Sequence, residues 1–256
     1  MVAVNYETIK VHFQESICLV QFDRPRANNT INSQLVEECH DVLSACEERA
    51  TVVVFGGSPE VFCFGADFGA FSTAEIRNEE GPGSLYDLWL RFTTGPFITI
   101  SHVRGKANAG GIGFIAASDV VIAEDTAQFS LSELLFGLYP ACVLPFLIRR
   151  IGFQKANYLT LMTWPISAPL ALTYGLVDAF DTESDALLRR HLLRLRRLSK
   201  PAITRYKLYM NKINHSLTQS KPVAIAGNLE IFSDPTNLEA ISRYMRDGLL
   251  PWEKSQ

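Results

Sequence analysis

The chain has 256 residues, 47% of them hydrophobic and 20% charged, and a formal net charge of −3. That composition supports a sizeable buried core in one large domain, or a core with a small appendage, and argues against a general nucleic-acid binder. Five irregularly spaced cysteines make neither a disulfide framework nor a metal pattern; with no signal-like start and no apolar run near the roughly 18 residues of a membrane helix, a cytoplasmic protein is expected.

Residues 6–24 read as two short strands, YETIKVHF and SICLVQF, around the polar turn Gln14-Glu15-Ser16. Arg24-Pro25 closes the second strand, because proline lacks the amide that a ladder needs. Ser33 is the expected N-cap of a helix running to about Glu48, with Glu37 and Glu38 near its first turn. Residues 51–56 are β-branched and apolar, a buried strand. Residues 58–71, SPEVFCFGADFGAF, give an apolar run, a break at Gly65-Ala66-Asp67 and a helix start. Residues 72–84 are polar and include Glu79-Glu80-Gly81-Pro82-Gly83, a candidate mobile loop over a site. LYDLWLRF follows at helical spacing, its aromatics read as core. The apolar run from Phe97 enters VRGKANAGGIGFIAASDVVIA, read as strand, tight glycine turn, helix and strand. From Ser184 the chain is mostly helical. In DALLRRHLLRLRRLSK, Leu187, Leu188, Leu192 and Leu195 share one side, and Arg190, Arg194 and Arg197 lie largely on another. Asp234-Pro235 supplies an N-cap and first position for a further helix. Strand–strand–helix units with parallel connections make the class α/β, with a core over 1–183 and a helical region over 184–256.

Glycines at a strand-to-helix junction let a backbone approach closely, and the helix start offers unpaired N–H groups. One such turn binds a phosphate or simply lets a helix pack tightly on a sheet. Two of them, at 65–67 and 109–111, could each give one N–H to the same oxygen, as enolate-forming sites do for a thioester carbonyl. FCFGADF followed by RGKANAGGIGF resembles the paired signature of the crotonase (enoyl-CoA hydratase/isomerase) superfamily. FDRPRANNTINSQLVEEC, SLSELLFGLYPACVLPFLIRRIG and ISAPLALTYGLVDAF carry the resemblance over nearly the whole chain. Within that superfamily, NNTINSQLVEEC, EVFCFGADF, LYDLW, ISHVRGKANAGG and HLLRLRRL more closely resemble the hydratase-like dehydratases of polyketide β-branching cassettes. The resemblance implies a crotonase-type spiral of ββα units, with C-terminal helices that join subunits into trimers or hexamers.

The resemblance puts the oxyanion N–H donors at Ala66 and Gly110, beside Gly65 and Gly111. Glu133 aligns with one of the two glutamates of enoyl-CoA hydratases. Among apolar neighbours its carboxyl should be a weak acid, suited to proton transfer near neutral pH. It also fits the first turn of a helix after Ser130 or Ser132. The other glutamate aligns with Gly113, twenty positions earlier, which has no proton to give. This departure leaves Glu133 as the one aligned acid/base. Asp67 caps a helix or faces the pocket; Asn108 bonds a substrate carboxylate or the turn itself; Tyr86 is a second proton donor or a core aromatic. With Gly65 and Gly111, these are the candidate substrate-contacting residues. His102, inside an apolar strand, reads as structural. The basic run of Arg189, Arg190, His191, Arg194, Arg196, Arg197 and Lys200 is a solvated face, a subunit contact, or a landing surface for an acidic carrier protein.

The implied reaction is dehydration of a 3-hydroxy-3-methylglutaryl thioester to a 3-methylglutaconyl thioester. The acyl group is expected on the phosphopantetheine of an acyl carrier protein rather than on free CoA, with no metal, flavin or nucleotide cofactor. A decarboxylase of the 3-methylglutaconyl thioester and an enoyl thioester isomerase would share the same hole. An RNA-binding protein using the arginine-rich helix is a different class, opposed by the negative net charge.

Overall fold

The computed structural model describes residues 6–69 and 80–253. The strands β1 (Ile9–Gln14) and β2 (Ile17–Phe22) pair antiparallel from Ile9↔Phe22 to Gln14↔Ile17. They turn through Glu15, whose φ of 53° suits a tight hairpin. In chain order there follow β3 (Val52–Gly56), β4 (Val61–Cys63), β5 (Ile98–Val103), β6 (Lys106–Asn108), β7 (Val120–Glu124), β8 (Gln128–Ser130), β9 (Ile166–Ser167) and β10 (Ala179–Asp181). The six-stranded sheet has the order β1-β2-β3-β5-β7-β10, all parallel after the first pair; a second sheet runs β4-β6-β8-β9. Three times a long strand steps directly into a short one of the second sheet. This is the α/β spiral of ββα units that the resemblance implied.

The helices among the described residues are α1 (Ser33–Arg49), α2 (Glu80–Thr94), α3 (Gly110–Ala117), α4 (Leu144–Ile151), α5 (Phe153–Met162), α6 (Ala168–Tyr174), α7 (Ser184–Leu195), α8 (Lys200–Ile213), α9 (Ser216–Ser233) and α10 (Pro235–Asp247). Asn32, not Ser33, caps α1. Its backbone is extended, at φ −119° and ψ 173°, and its Oδ1 accepts from the Leu35 N–H at 3.0 Å, whereas Ser33 is already helical. Glu38 reaches back to accept from the Glu7 and Thr8 N–H groups at 2.8 and 2.9 Å, tying α1 to the chain before β1. Residues 80–84, expected in a loop, are the start of α2; the rest of that expected loop, 72–79, lies outside the described residues.

Alternation along the long strands divides their side chains between two cores. Val53 and Phe55 of β3 join Phe22, Val103 and Val121 in the main core, with Leu35 of α1, Trp89 and Phe92 of α2 and Phe114 of α3. The Phe55 and Phe92 ring centroids are 4.4 Å apart, and those of Phe22 and Phe114 are 5.0 Å apart. Val52, Val54, Ile100 and Ile122 face the other way and are covered by Leu187 and Leu188 of α7. The chain is helical from Ser184, and packing crosses that point: Leu217 and Ala224 of α9 belong to the main core. Ile231 and Ile241 of the last two helices pack with Phe68, Phe136 and Leu138. Asp234 caps α10, its Oδ1 accepting from Thr236 N–H at 2.8 Å. All five cysteines are buried and free, and no helix among the described residues is long and apolar enough to cross a membrane.

Candidate active site

The site is built where the short strands end. β6 stops at Asn108, Ala109 takes φ 51° and ψ −121°, and α3 begins at Gly110. Gly65 sits directly against this turn. Its φ is +93°, and a Cβ on it would lie 2.7 Å from the Ala109 Cβ and 3.3 Å from the Gly110 nitrogen. Only glycine tolerates both the backbone and the contact. Gly110 and Gly111 are tightly packed in turn, against Ile31 and the Cys63 carbonyl.

Two backbone donors come from these adjoining segments. Ile31 forms a parallel bridge with Ala66: its N–H bonds the Gly65 carbonyl at 2.7 Å, and its carbonyl accepts from Asp67 N–H at 2.9 Å. That pattern turns the Ala66 N–H away from Ile31. Gly110 is the first residue of α3, so its N–H has no partner within the helix. Neither N–H has an acceptor among the described residues.

Glu133 opens a short 3₁₀ helix, Glu133–Phe136. The segment before it is stitched to the glycine turn. The Ala109 N–H donates to the Ser130 carbonyl at 3.1 Å, the Ser130 hydroxyl donates to Asn108 Oδ1 at 2.8 Å, and Asn108 Nδ2 donates to the Ser132 hydroxyl at 2.8 Å. Ala66, Gly110 and Glu133 therefore share one neighbourhood. Glu133 is half-buried as a residue, but its Oε2 is shut off from solvent and has no hydrogen-bond partner. Burial pushes its carboxyl up to about 7, only partly offset by the backbone N–H groups of Glu133 and Ser132.

Gly113, one turn into α3, has no space for a side chain. A Cβ there would come within 2.3 Å of Trp89 Cζ2 and 2.4 Å of Cη2. The Trp89 indole is buried and its Nε1 is unpartnered. The position of the absent second glutamate is thus filled from α2.

Other candidates separate. Tyr86 is corrected as a substrate-contacting residue: it is fully buried, its hydroxyl donates to the Leu217 carbonyl at 2.7 Å, and its ring packs 4.9 Å from Phe146. It fastens α9 to the core. Asp67 accepts from Arg24 Nη2 at 2.6 Å, and its Oδ1 accepts from Gly69 N–H at 3.2 Å; the helix it was expected to cap lies outside the described residues. Asn108 bonds a serine through each end of its amide, the turn-bonding role of the two expected for it. His102 bonds Ser184 at 3.0 Å, and burial pushes it down to about 4, a structural histidine as expected. The arginines of α7 are exposed on the side away from the sheet, and α7 covers the sheet face opposite the main core. A surface groove of about 730 Å³, lined by residues including Asp119, Arg149, Tyr206 and Lys207, borders none of Ala66, Gly110 and Glu133.

Sequence reasoning missed Arg24, Ser130, Ser132 and Trp89. Arg24 carried a signal: a buried guanidinium needs a carboxylate partner, and Asp67 was at hand. The serines and Trp89 carried none, since their roles depend on strand register and helix packing.

The profile of the enoyl-CoA hydratase/isomerase family matches residues 12–255. The chain is 59% identical over 254 residues to the bacillaene synthase dehydratase PksH of Bacillus subtilis (strain 168), covering 98% of each. It is 29% identical over 223 residues to the 2,3-dehydroadipyl-CoA hydratase of Escherichia coli (strain K12), covering 84% of each. A crystal structure of a polyketide biosynthesis enoyl-CoA hydratase from Bacillus subtilis superposes with a TM-score of 0.89 at 57% identity, covering 96% of this chain and all of that one. An enoyl-CoA hydratase/isomerase from Xanthobacter autotrophicus Py2 shares the fold, with a TM-score of 0.85 at 22% identity over 96% of this chain and 95% of its own.

Proposed function

The chain belongs to the enoyl-CoA hydratase/isomerase family and is a hydro-lyase, and we propose that it dehydrates a 3-hydroxy-3-methylglutaryl thioester to the 3-methylglutaconyl thioester in polyketide β-branching. In this reading the acyl group arrives on the phosphopantetheine of an acyl carrier protein. The observation that carries the proposal is one carboxyl, Glu133, with Oε2 shut off from solvent and pushed up to about 7 by burial, on a segment hydrogen-bonded to the turn that carries Gly110, with no room for a second acid at residue 113. The high identity to a dehydratase of a polyketide synthase supports the setting.

The chemistry closes with these groups alone. The Ala66 and Gly110 N–H groups receive the thioester oxygen as it gains charge, each such donor being worth ~2.7–4 kcal/mol in comparable sites. Ionised Glu133 takes the Cα proton, and the C–H electrons become the enolate. As the enolate collapses, the Cα–Cβ double bond forms and the Cβ–O bond breaks. The departing hydroxide takes the proton back from Glu133, leaving as water and restoring the carboxylate. One carboxyl serves both steps when proton and hydroxyl leave from the same face. Its raised pKa fits both duties, since base and acid forms are then both accessible near neutrality. Phosphopantetheine belongs to the substrate, so the proton inventory requires no resident cofactor.

Mass spectrometry of a 3-hydroxy-3-methylglutaryl carrier protein after incubation tests this. Loss of water is expected. Loss of carbon dioxide would make the chain a decarboxylase, and an unchanged mass would remove the substrate assignment.

A further inference from the structure

We infer that Asn108 is a positioning residue, which holds the oxyanion donor Gly110 and the acid/base Glu133 in fixed relation through Ser130 and Ser132. The inference rests on the reading of that site as a hole plus one carboxyl. It follows from four observations around one buried amide.

First, Asn108 is 8% exposed and both ends of its side chain are engaged, Oδ1 by the Ser130 hydroxyl and Nδ2 by the Ser132 hydroxyl, each at 2.8 Å. Turning the amide over keeps both links, because hydroxyls donate and accept. Second, the Ala109 N–H bonds the Ser130 carbonyl at 3.1 Å in the same register in which Asn108 stands opposite Ser130. The residue before Gly110 and the three residues before Glu133 are thus laced together. Such shared hydrogen bonds restrain the two segments against one another.

Third, Ala109 has a positive φ, of 51°, with ψ at −121°, a strained backbone for a residue with a Cβ. Such a conformation persists only where neighbours over-determine it. The Ser130 carbonyl holds its N–H, Ile112 N–H bonds its carbonyl at 2.9 Å, and its Cβ presses on Gly65. This twist immediately precedes the first amide of α3. Fourth, Ser132 stands at the N-cap of the 3₁₀ helix but makes no capping bond with its side chain. Its hydroxyl is drawn to Asn108 instead. The backbone N–H of Ser132 faces the Glu133 carboxyl.

Asn108→Leu removes both bonds while keeping the number of side-chain heavy atoms. The readout is the ultraviolet absorbance of bound 3-methylcrotonyl pantetheine, whose red shift reports polarisation of the thioester carbonyl without turnover, together with kcat and KM on the carrier-bound substrate. Expected for Asn108→Leu are loss of the red shift, probe affinity within about threefold, and kcat lower by about 10²-fold, the scale of a 1 Å misplacement. Should that variant fail to fold, Ser130→Ala/Ser132→Ala removes the partners while keeping the amide, and a smaller loss in the same two readouts is expected. A red shift and kcat within threefold of the parent in a variant lacking these bonds would overturn the inference. So would a parent protein that does not polarise the probe. A parent that polarises the probe but leaves the 3-hydroxy-3-methylglutaryl substrate untouched refutes the substrate assignment alone, and the red-shift comparison still decides the role of Asn108.

Discussion

The six-membered ring of Trp89 stands where a side chain on Gly113 would begin, its Cζ2 2.3 Å from the Cβ that glycine lacks. Gly113→Ala already places an atom in hard overlap with that ring. It should destabilise the fold by about 1–3 kcal/mol, the usual cost of overpacking, and Gly113→Glu should cost more because it also buries a charge. Denaturant unfolding measures both. Trp89→Ala/Gly113→Ala should recover part of the Gly113→Ala loss relative to Trp89→Ala alone. Full additivity of the two changes would contradict the packing relationship.

Glu133→Gln is nearly isosteric. It should leave the circular dichroism spectrum unchanged and lower dehydration ~10²–10⁴-fold, the usual contribution of a positioned acid/base. Turnover at the parent rate in the folded variant would remove Glu133 from the mechanism.

The same carboxyl gives a signed pH dependence. Its folded value, about 7, lies above the ordinary 4.5, so the folded chain binds this proton more tightly than the unfolded one. The associated stability is fully present below about 4.5 and is lost as pH rises through about 7. Turnover should move oppositely, rising through about 7 as the carboxylate forms. Unfolding free energies of parent and Glu133→Gln, measured from pH 5 to 8, should diverge toward high pH with the variant the more stable. Parallel curves would show that the carboxyl is not held in a dry site.

Much of this was legible in short local stretches. GAD and AGG name the two tight turns, and the isolated glutamate of SLSELLFG names an acid among apolar neighbours. The structure brings those three segments together. Gly113 was legible as a missing acid, but the reason for its absence sits on α2, distant in sequence. Asn108 was legible as polar and near the turn. Its engagement depends on the β6–β8 register, which no local pattern specifies. Tyr86 looked equally fit for a pocket or a core until α9 supplied the Leu217 carbonyl. The basic run is only partly on α7, which ends at Leu195; Arg196 and Arg197 lie beyond it, and Lys200 opens α8 with its ammonium on the Cys46 and Ala50 carbonyls. Which side of the sheet α7 covers is a matter of topology.

That topology sets the expectation for carrier recognition. Reversing Arg190, Arg194 and Arg197 to glutamate should leave kcat/KM on carrier-bound substrate and on a pantetheine analogue within about twofold at low salt, since α7 lies behind the sheet. A selective, salt-sensitive loss on the carrier-bound substrate would make this helix the docking surface after all.

Exposed apolar side chains are concentrated on α5 and α8. Phe153, Leu161 and nearby Trp164 are 62%, 63% and 70% exposed, and Tyr206, Tyr209 and Ile213 are 62%, 63% and 59% exposed. Patches of this kind mark association surfaces. Light scattering should find a homo-oligomer, and Leu161→Glu or Tyr209→Glu should lower its mass. A monomer at working concentration would show that these faces have another use.

The single-residue bridge between Ile31 and Ala66 bears on how the site fails. One donor is tied to the segment between β2 and α1 by that bridge and by the Arg24–Asp67 ion pair. The segments that carry the other donor and Glu133 are also joined to each other by hydrogen bonds within residues 108–133. Opening of the early loop alone would therefore strip away one donor while sparing the rest. Mild heating or low denaturant should extinguish turnover before the main core melts, and the damage should be reversible on cooling. The enzyme would lose its activity by coming apart at a seam, well before it came apart as a fold.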